Sequence, residues 1–213
     1  VLNNPSNPTG MIYSKEELEA LAEVCLRHDI YIIADEIYYR LCYDGRKFTS
    51  VAALGEEVKK HTIIINGVSK SYSMTGWRAG YAAGPREIVT AMGNYQSQST
   101  SNINSIAQYA AVAALKGPQD FIAPMVSSFQ RRIDKACSLI AGTAGLELPV
   151  RPMGAFYLFL RIDTLRDKLK RAGMKGSTDF TNYLLEKAGV AAVPGEAFGD
   201  DAVVVRGLPD FLA

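Results

Sequence analysis

Short apolar runs that end in polar residues alternate with helical segments in the first third of the chain. The runs at residues 31–34 and 62–65 contain no charged residue, as in strands that are buried on both faces of a parallel sheet. A strand at residues 1–2 and a capped helix at residues 15–28 precede them. Because parallel strands need long crossover connections, this order predicts an α/β fold built on a mostly parallel sheet.

Polar residues follow these strands directly. Asn7 comes after the first strand, Asp35 closes the run at 31–34, and Lys70 follows the run at 62–65. Right-handed crossovers bring the carboxyl ends of parallel strands to one edge of the sheet. We therefore expect Asn7, Asp35 and Lys70 to converge there and form the functional site.

The pattern changes along the chain, which predicts two domains, 1–118 and 119–213. The first contains a third strand at 79–83 and helices at 87–95 and 103–115. One long helix at 118–141 leads into a small α+β domain. In that domain the pattern predicts strands at 156–160, 190–193 and 202–206, and helices at 164–171 and 178–188.

Composition excludes several function classes. The net charge is +1, so no electrostatic field favours nucleic acid or an anionic membrane. No apolar run is long enough to span a bilayer. Three distant cysteines indicate buried free thiols in a reducing compartment, and the two histidines lack metal-ligand spacing. We expect a soluble protein without metal, and the compartment stays open.

Lys70 and Arg78 suggest amine chemistry on a phosphorylated cofactor. Lys70 lies in a segment of small hydroxyl residues that also contains Gly76, which suits the wall of a cofactor site, and its amine can form a Schiff base. Arg78 offers a planar guanidinium for a phosphate, and Ser69 can add a hydroxyl to the same group. These residues match the needs of pyridoxal 5'-phosphate (PLP).

Asp35 and Tyr38 supply two further groups that such a cofactor requires. Asp35 ends an apolar strand, so its carboxylate needs a cationic partner such as a pyridinium N–H. Tyr38 and Asn7 can donate hydrogen bonds to the phenolate oxygen of the cofactor. Glu36 is expected to point to the opposite side and to pair elsewhere.

Three motifs resemble those of the class I/II aminotransferases, which are fold type I PLP enzymes of the aspartate aminotransferase kind. They are NPSNPTG at residues 4–10, ADEIY at 34–38 and SKSYSMTGWRAGY at 69–81, in the family's order and at similar spacing. Segments at 152–157 and 193–199 also resemble the family's small domain. The resemblance implies the C-terminal portion of a large PLP-binding domain, followed by a small domain.

The resemblance also implies a role for each residue. Lys70 would hold PLP as an internal aldimine and then move a proton between the substrate Cα and the cofactor. Arg206, which follows the 193–199 segment, would bind the substrate carboxylate. The implied reaction belongs to amino acid metabolism and biosynthesis, moves an amino group between an amino acid and a 2-oxo acid, and takes place in a homodimer.

The resemblance starts inside the family's large domain and departs from the family pattern at residues 207–211. We therefore expect a fragment whose beginning is incomplete and whose end is truncated or altered. A PLP-dependent lyase or synthase would use the same Lys70 and Asp35, and a catalytically incompetent fragment is a further alternative. The amino-acid specificity and any transit peptide stay open.

Overall fold

The computed structural model describes residues 1–208, which form two units. The first contains Val1–Pro5 and Ile12–Met125, and the second contains Ser6–Met11 and the chain from Val126. The division thus lies downstream of the one placed between residues 118 and 119, and the short 6–11 loop belongs to the second unit. The departure from the family pattern at residues 209–211 lies outside the described residues.

The first unit has a four-stranded sheet in the order β1-β2-β3-β4. Its elements are β1 (Leu2–Asn3), α1 (Lys15–Arg27), β2 (Ile32–Asp35), α2 (Glu56–Lys60), β3 (Thr62–Gly67), β4 (Gly80–Ala83), α3 (Arg86–Ser99) and α4 (Ser105–Lys116). The pairs β1–β2 and β2–β3 are parallel, and β3–β4 is antiparallel. The carboxyl ends of three neighbouring strands therefore lie at one edge of the sheet.

Helix α1 packs against one face of this sheet through its apolar inner face. Its first turn is stabilised by a capping box. The Ser14 hydroxyl accepts a hydrogen bond from Glu17 N, and the Glu17 carboxylate accepts one from Ser14 N, which confirms the capping box. Leu18 and Ala22 on the inner face are buried. The core beneath is a cluster of small and branched side chains: Ala22, Ile32, Ala34, Val51 and Val58.

The second unit has a three-stranded antiparallel sheet in the order β5-β7-β6. Its elements are most of α5 (Ile122–Ala141), then β5 (Tyr157–Arg161), α6 (Arg166–Arg171), α7 (Ser177–Ala188), β6 (Val193–Pro194) and β7 (Val203–Gly207). Its core is formed by Ile140, Leu158, Leu160, Ile162, Phe180 and Val204. Helices and strands thus make a small α+β unit, as predicted.

Two helices and one strand residue differ from the sequence-based prediction. Helix α5 begins at Ile122 rather than 118, because residues 118–119 are not helical and residues 120–121 form a turn. The five-residue helix α2 was missed, since it is too short for a periodic pattern. Ile33 was expected to be buried in a two-sided sheet, but it is 41% exposed.

Several expectations from composition can be compared with residues 1–208. Cys25, Cys42 and Cys137 are free, as predicted, but half-buried rather than buried. Among these residues no cluster of histidine, cysteine, aspartate and glutamate could hold a metal ion. None of the helices described here combines the length and apolar character needed to cross a bilayer.

Candidate active site

Asp35 lies at the carboxyl end of β2, directly beside β3. It is paired with Ile65 in the parallel register, and the next amide, Glu36 N, donates a 2.9 Å hydrogen bond to Ile65 O. The half-buried Asp35 carboxylate accepts a 3.2 Å hydrogen bond at Oδ1 from Ile37 N. This bond orients the carboxylate, and a carboxylate retains acceptor capacity for a further donor.

Lys70 lies in the turn that follows β3, at the same edge of the sheet. Val68 N donates a 3.3 Å hydrogen bond to Ala79 O, which ties the start of the turn to the segment leading into β4. A Cβ atom at Gly67 would lie 2.9 Å from the same Ala79 oxygen, so this close approach requires glycine. The backbone contacts of Gly67 and Val68 therefore fix the position of the turn that contains Ser69 and Lys70. Both residues are half-buried.

The side chains of Lys70 and Tyr38 meet at this edge although they follow different strands. The Lys70 Nζ atom lies 5.8 Å from the centre of the Tyr38 ring, and Tyr38 itself is buried. The ring face attracts a cation at this distance and also presents an apolar wall. Tyr38, which follows β2, and Lys70, which follows β3, are thus brought together as the sequence predicted.

The surroundings of Lys70 favour its neutral amine. Burial lowers the pKa of Lys70 most, and the positive charge of Arg78 lowers it further. A neutral amine is the nucleophilic form of lysine, so the site increases the fraction that can attack a carbonyl near neutral pH.

Arg78 follows a single turn of 3₁₀ helix (Thr75–Trp77) and has a positive φ of 52°. Its Nη1 atom donates a 3.0 Å hydrogen bond to Thr75 O, which directs the exposed guanidinium. Arg78 borders a cavity of about 840 Å³ that Thr100 and Asn102 also line. Thr100 and Asn102 lie in a polar connection without a periodic pattern, so the sequence gives no signal for them.

Glu36 faces a different environment from its neighbour Asp35. The Ser50 hydroxyl donates a 2.6 Å hydrogen bond to Glu36 Oε1, and the Glu36 side chain is buried. Burial raises the pKa of Glu36, more than the hydrogen bonds from Ser50 and Val51 lower it. The two adjacent carboxylates therefore lie in separate environments, and Glu36 is hydrogen-bonded to Ser50.

Asn7 and Arg206, the two other predicted site residues, belong to the second unit. Exposed Asn7 lies in the Ser6–Met11 loop, which is tied to the second unit by hydrogen bonds from Met153 N and Gly154 N to Gly10 O. Arg206 lies in β7, where its Nη1 atom donates a 2.6 Å hydrogen bond to Ala191 O. Their convergence with the residues of the first unit stays a prediction.

Comparison with protein families and solved structures agrees with the three motifs. The model of the aminotransferase class I and II family matches residues 1–204. An aspartate aminotransferase of Geobacillus stearothermophilus is 51% identical over 199 residues, which are 93% of this chain and 50% of the relative. An asparagine–oxo-acid transaminase of Streptococcus mutans is 48% identical over the same shares.

The fold of this chain is also similar to that of solved aminotransferases. The crystal structure of an aspartate aminotransferase from Rhizobium meliloti has a TM-score of 0.86 and 44% identity, covering 97% of this chain and 52% of the solved one. This likeness confirms the predicted fold type I of PLP-dependent transferases. The chain spans about half the length of the curated relatives it matches. It belongs to the aminotransferase class I and II family.

Proposed function

We propose that this chain carries the lysine-bearing part of a PLP-dependent aminotransferase, which moves an amino group between an amino acid and a 2-oxo acid. The observation that carries the proposal is the environment of Lys70. Its half-buried amine has a lowered pKa and lies beside Tyr38, and Asp35 closes the adjacent strand at the same edge of the sheet.

The residues of the first unit fit the groups of the cofactor. Lys70 supplies the amine for the aldehyde, Arg78 and Ser69 supply donors for the phosphate, and Asp35 supplies an anion for the ring nitrogen. Tyr38 would donate to the phenolate oxygen, and Asn7 of the second unit is proposed as a second donor. When bound, the cofactor supplies an electron-accepting ring that stabilises negative charge at the substrate Cα.

The residues of this chain would have distinct roles. Lys70 would hold the cofactor through its amine and would also carry a proton to or from the substrate Cα. Asp35 keeps a proton on the ring nitrogen by placing a negative charge beside it. Arg206 would bind the substrate carboxylate. Its Nη1 atom donates to Ala191 O, and a guanidinium has five N–H donors, so donors remain for a carboxylate.

We further propose that the substrate is a dicarboxylic amino acid or its amide, in a homodimeric enzyme. The support for the substrate is that relatives of this chain are named for aspartate and asparagine. The homodimer rests on the family resemblance alone.

The cofactor assignment is tested by titrating PLP into the purified chain, reducing the product with borohydride and mapping the modified lysine. We expect modification at Lys70, loss of it in Lys70→Ala and no change in Lys47→Ala, which alters an exposed lysine. Modification spread over several lysines, or retained in Lys70→Ala, would contradict the assignment.

The reaction type is tested with the chain supplemented by the unmatched half of the Geobacillus stearothermophilus enzyme. Transamination needs an acceptor 2-oxo acid, whereas a lyase forms its product without one. We expect product from aspartate only when 2-oxoglutarate is added. A Lys70-dependent product without acceptor would favour the lyase or synthase alternative, which the names of the relatives do not favour.

A further inference from the structure

Tyr72 lies two residues after Lys70, in the same turn that follows β3, and its side chain is buried. Backbone hydrogen bonds close this turn. Tyr72 N donates to Val68 O at 3.2 Å, and the amide of the next residue, Ser73 N, donates to Lys70 O at 3.3 Å. The position of the Lys70 backbone therefore depends on where Tyr72 and Ser73 are held.

The hydroxyl of Tyr72 is tied to the segment that follows α4. It donates a 3.0 Å hydrogen bond to Gln119 Oε1. The Gln119 Nε2 atom in turn donates to Ala114 O at 2.9 Å and to Gly117 O at 2.7 Å. Ala114 O is one of the last four carbonyls of α4, which have no acceptor role within the helix. The half-buried Gln119 side chain thus links the turn after β3 to the end of α4.

The ring of Tyr72 is held separately from its hydroxyl. Its centre lies 5.9 Å from the centre of the Phe121 ring, a separation at which aromatic rings attract each other. The next hydroxyl along the chain, Ser73 Oγ, lies 3.4 Å from Met125 Sδ. A phenylalanine at position 72 would keep the ring contact with Phe121 and lose only the hydrogen bond.

Tyr72 also interacts with the turn after β2, which contains Tyr38. Burial raises the pKa of Tyr72 most, and a side-chain hydrogen bond with Tyr39 raises it further. The guanidinium carbon of Arg40 lies 5.1 Å from the centre of the Tyr39 ring. A hydrogen bond with Tyr39 raises the pKa of Arg40 most, and one with Tyr72 adds to this rise. The residues that directly follow Tyr38 are thus joined to the turn that carries Lys70.

We propose that Tyr72 and Gln119 are positioning residues, which hold the Lys70 amine in its half-buried place beside Tyr38. They belong to a set of interacting polar side chains that we define as the Tyr72 network: Tyr39, Arg40, Tyr72 and Gln119. The inference rests on the proposed role of Lys70 as the amine that binds the cofactor. The network acts through Lys70, because it links the two turns whose side chains meet at 5.8 Å.

A polar network suits this task better than apolar packing. Hydrogen bonds prescribe a distance and a direction, so a fully bonded network specifies one arrangement of its members. The Lys70 amine needs such precision, because burial is what lowers its pKa most. Arg78 faces the amine from the 3₁₀ turn and Tyr38 faces it from the turn after β2, while Asp35 ends β2 at the same edge. A small outward shift of the turn would expose the amine to water.

The first test measures Lys70 without cofactor. Labelling by acetic anhydride from about pH 6 to pH 11, followed by mass spectrometry, gives the titration midpoint of Lys70. The exposed Lys47 serves as the internal reference for the reagent. We expect Tyr72→Phe and Gln119→Leu each to raise the midpoint toward the ordinary lysine value, because a loosened turn leaves the amine more solvated. A purely structural role would lower stability and leave the midpoint of the folded protein unchanged.

The second test adds PLP and measures its binding to the same variants. Each single variant should weaken PLP binding about two- to tenfold, which is the effect of one neutral hydrogen bond. The double variant Tyr72→Phe/Gln119→Leu should weaken it no more than either single variant, because the two side chains act as a pair. Failure of the parent chain to bind PLP would contradict the proposed function, whereas the cofactor-free midpoint of Lys70 would still decide the positioning role.

Tyr43→Phe is the matched control. Tyr43 is also a buried tyrosine of the first unit, with 1% of its surface exposed. Loss of its hydroxyl should lower the free energy of unfolding and leave the titration midpoint of Lys70 unchanged. Urea unfolding of every variant shows that the midpoints are compared between folded proteins. If Tyr72→Phe does not fold, Gln119→Leu decides the test, because position 119 is only half-buried.

Three results would overturn the inference. An unchanged Lys70 midpoint in the folded variants would show that Tyr72 and Gln119 do not position the amine. An equal rise in Tyr43→Phe would show that loss of any buried hydroxyl has this effect. Additive weakening of PLP binding in the double variant would show that the two residues act separately.

Discussion

The amine of Lys70 lies 5.8 Å from the centre of the Tyr38 ring, although the two residues follow different strands of the sheet. Tyr38 belongs to the turn after β2, and Lys70 belongs to the turn after β3. The parallel pairing of β2 with β3 places both turns at one edge, so the contact follows from the sheet register. A cofactor bound by Lys70 would therefore meet the phenol of Tyr38.

Tyr38→Phe tests the hydroxyl while keeping the ring. Without that donor the phenolate of the bound cofactor is less stable, so we expect the pH midpoint of its visible absorption to rise. One hydrogen bond to a charged group contributes about 1.5–3 kcal/mol, which corresponds to about one to two pH units. A pH titration of absorbance measures this, and an unchanged midpoint would exclude Tyr38 from the phenolate oxygen.

Arg78→Gln separates phosphate binding from the other contacts. Loss of charge-assisted hydrogen bonds should weaken PLP binding about ten- to a hundredfold. Binding of pyridoxal, which lacks the phosphate, should fall much less, and only through the changed titration of Lys70. Fluorescence titration with both ligands gives the comparison. Equal weakening for the two ligands would indicate a general disturbance of the site.

The same variant should change the titration of Lys70. Because the charge of Arg78 lowers the pKa of Lys70, its removal should raise that pKa, and the larger effect of burial should remain. The pH dependence of Lys70 modification by an amine reagent, without cofactor, measures the shift. An unchanged profile would mean that Arg78 does not influence Lys70.

Glu36→Gln should change how stability depends on pH. Because the pKa of Glu36 is raised, the folded protein binds a proton there more tightly than the unfolded chain, and its stability falls as pH rises through the window above the ordinary carboxyl value. The variant lacks this titration, so its free energy of unfolding relative to the parent should improve from pH 4 to pH 7. Urea unfolding across this range measures it, and parallel curves would contradict it.

Gly10→Ala tests how tightly the Ser6–Met11 loop packs within the second unit. Gly10 has a φ of +70°, and an added Cβ would lie 2.7 Å from Pro152 Cβ and 2.9 Å from Gly154 O. Gly173→Ala is the control, since Gly173 has a φ of +79° and open space around it. We expect the control to cost about 1–2 kcal/mol of unfolding free energy and Gly10→Ala to cost more. Equal losses would show that the loop adjusts without cost.

Local sequence was sufficient wherever short-range chemistry decides the structure. The capping box of Ser14 and Glu17 fixed the start of α1, and uncharged apolar runs identified β2 and β3. Local signals failed where a choice depends on distant packing. The sequence pattern extended α5 back to residue 118, and nothing in residues 79–83 reveals that β4 runs antiparallel to β3.

For the candidate site, the sequence by itself determined the chemical groups: an amine, a carboxylate, a phenol and a guanidinium, at spacings that also identify the family. Only the tertiary structure decided their environment. Burial and the neighbouring charge of Arg78 lower the pKa of Lys70, and Ser50 pairs with Glu36, which lies 14 residues before it. These environments depend on how the backbone folds in space. The reason is physical: desolvation and Coulomb interactions are set by distances in space, which a linear pattern does not contain.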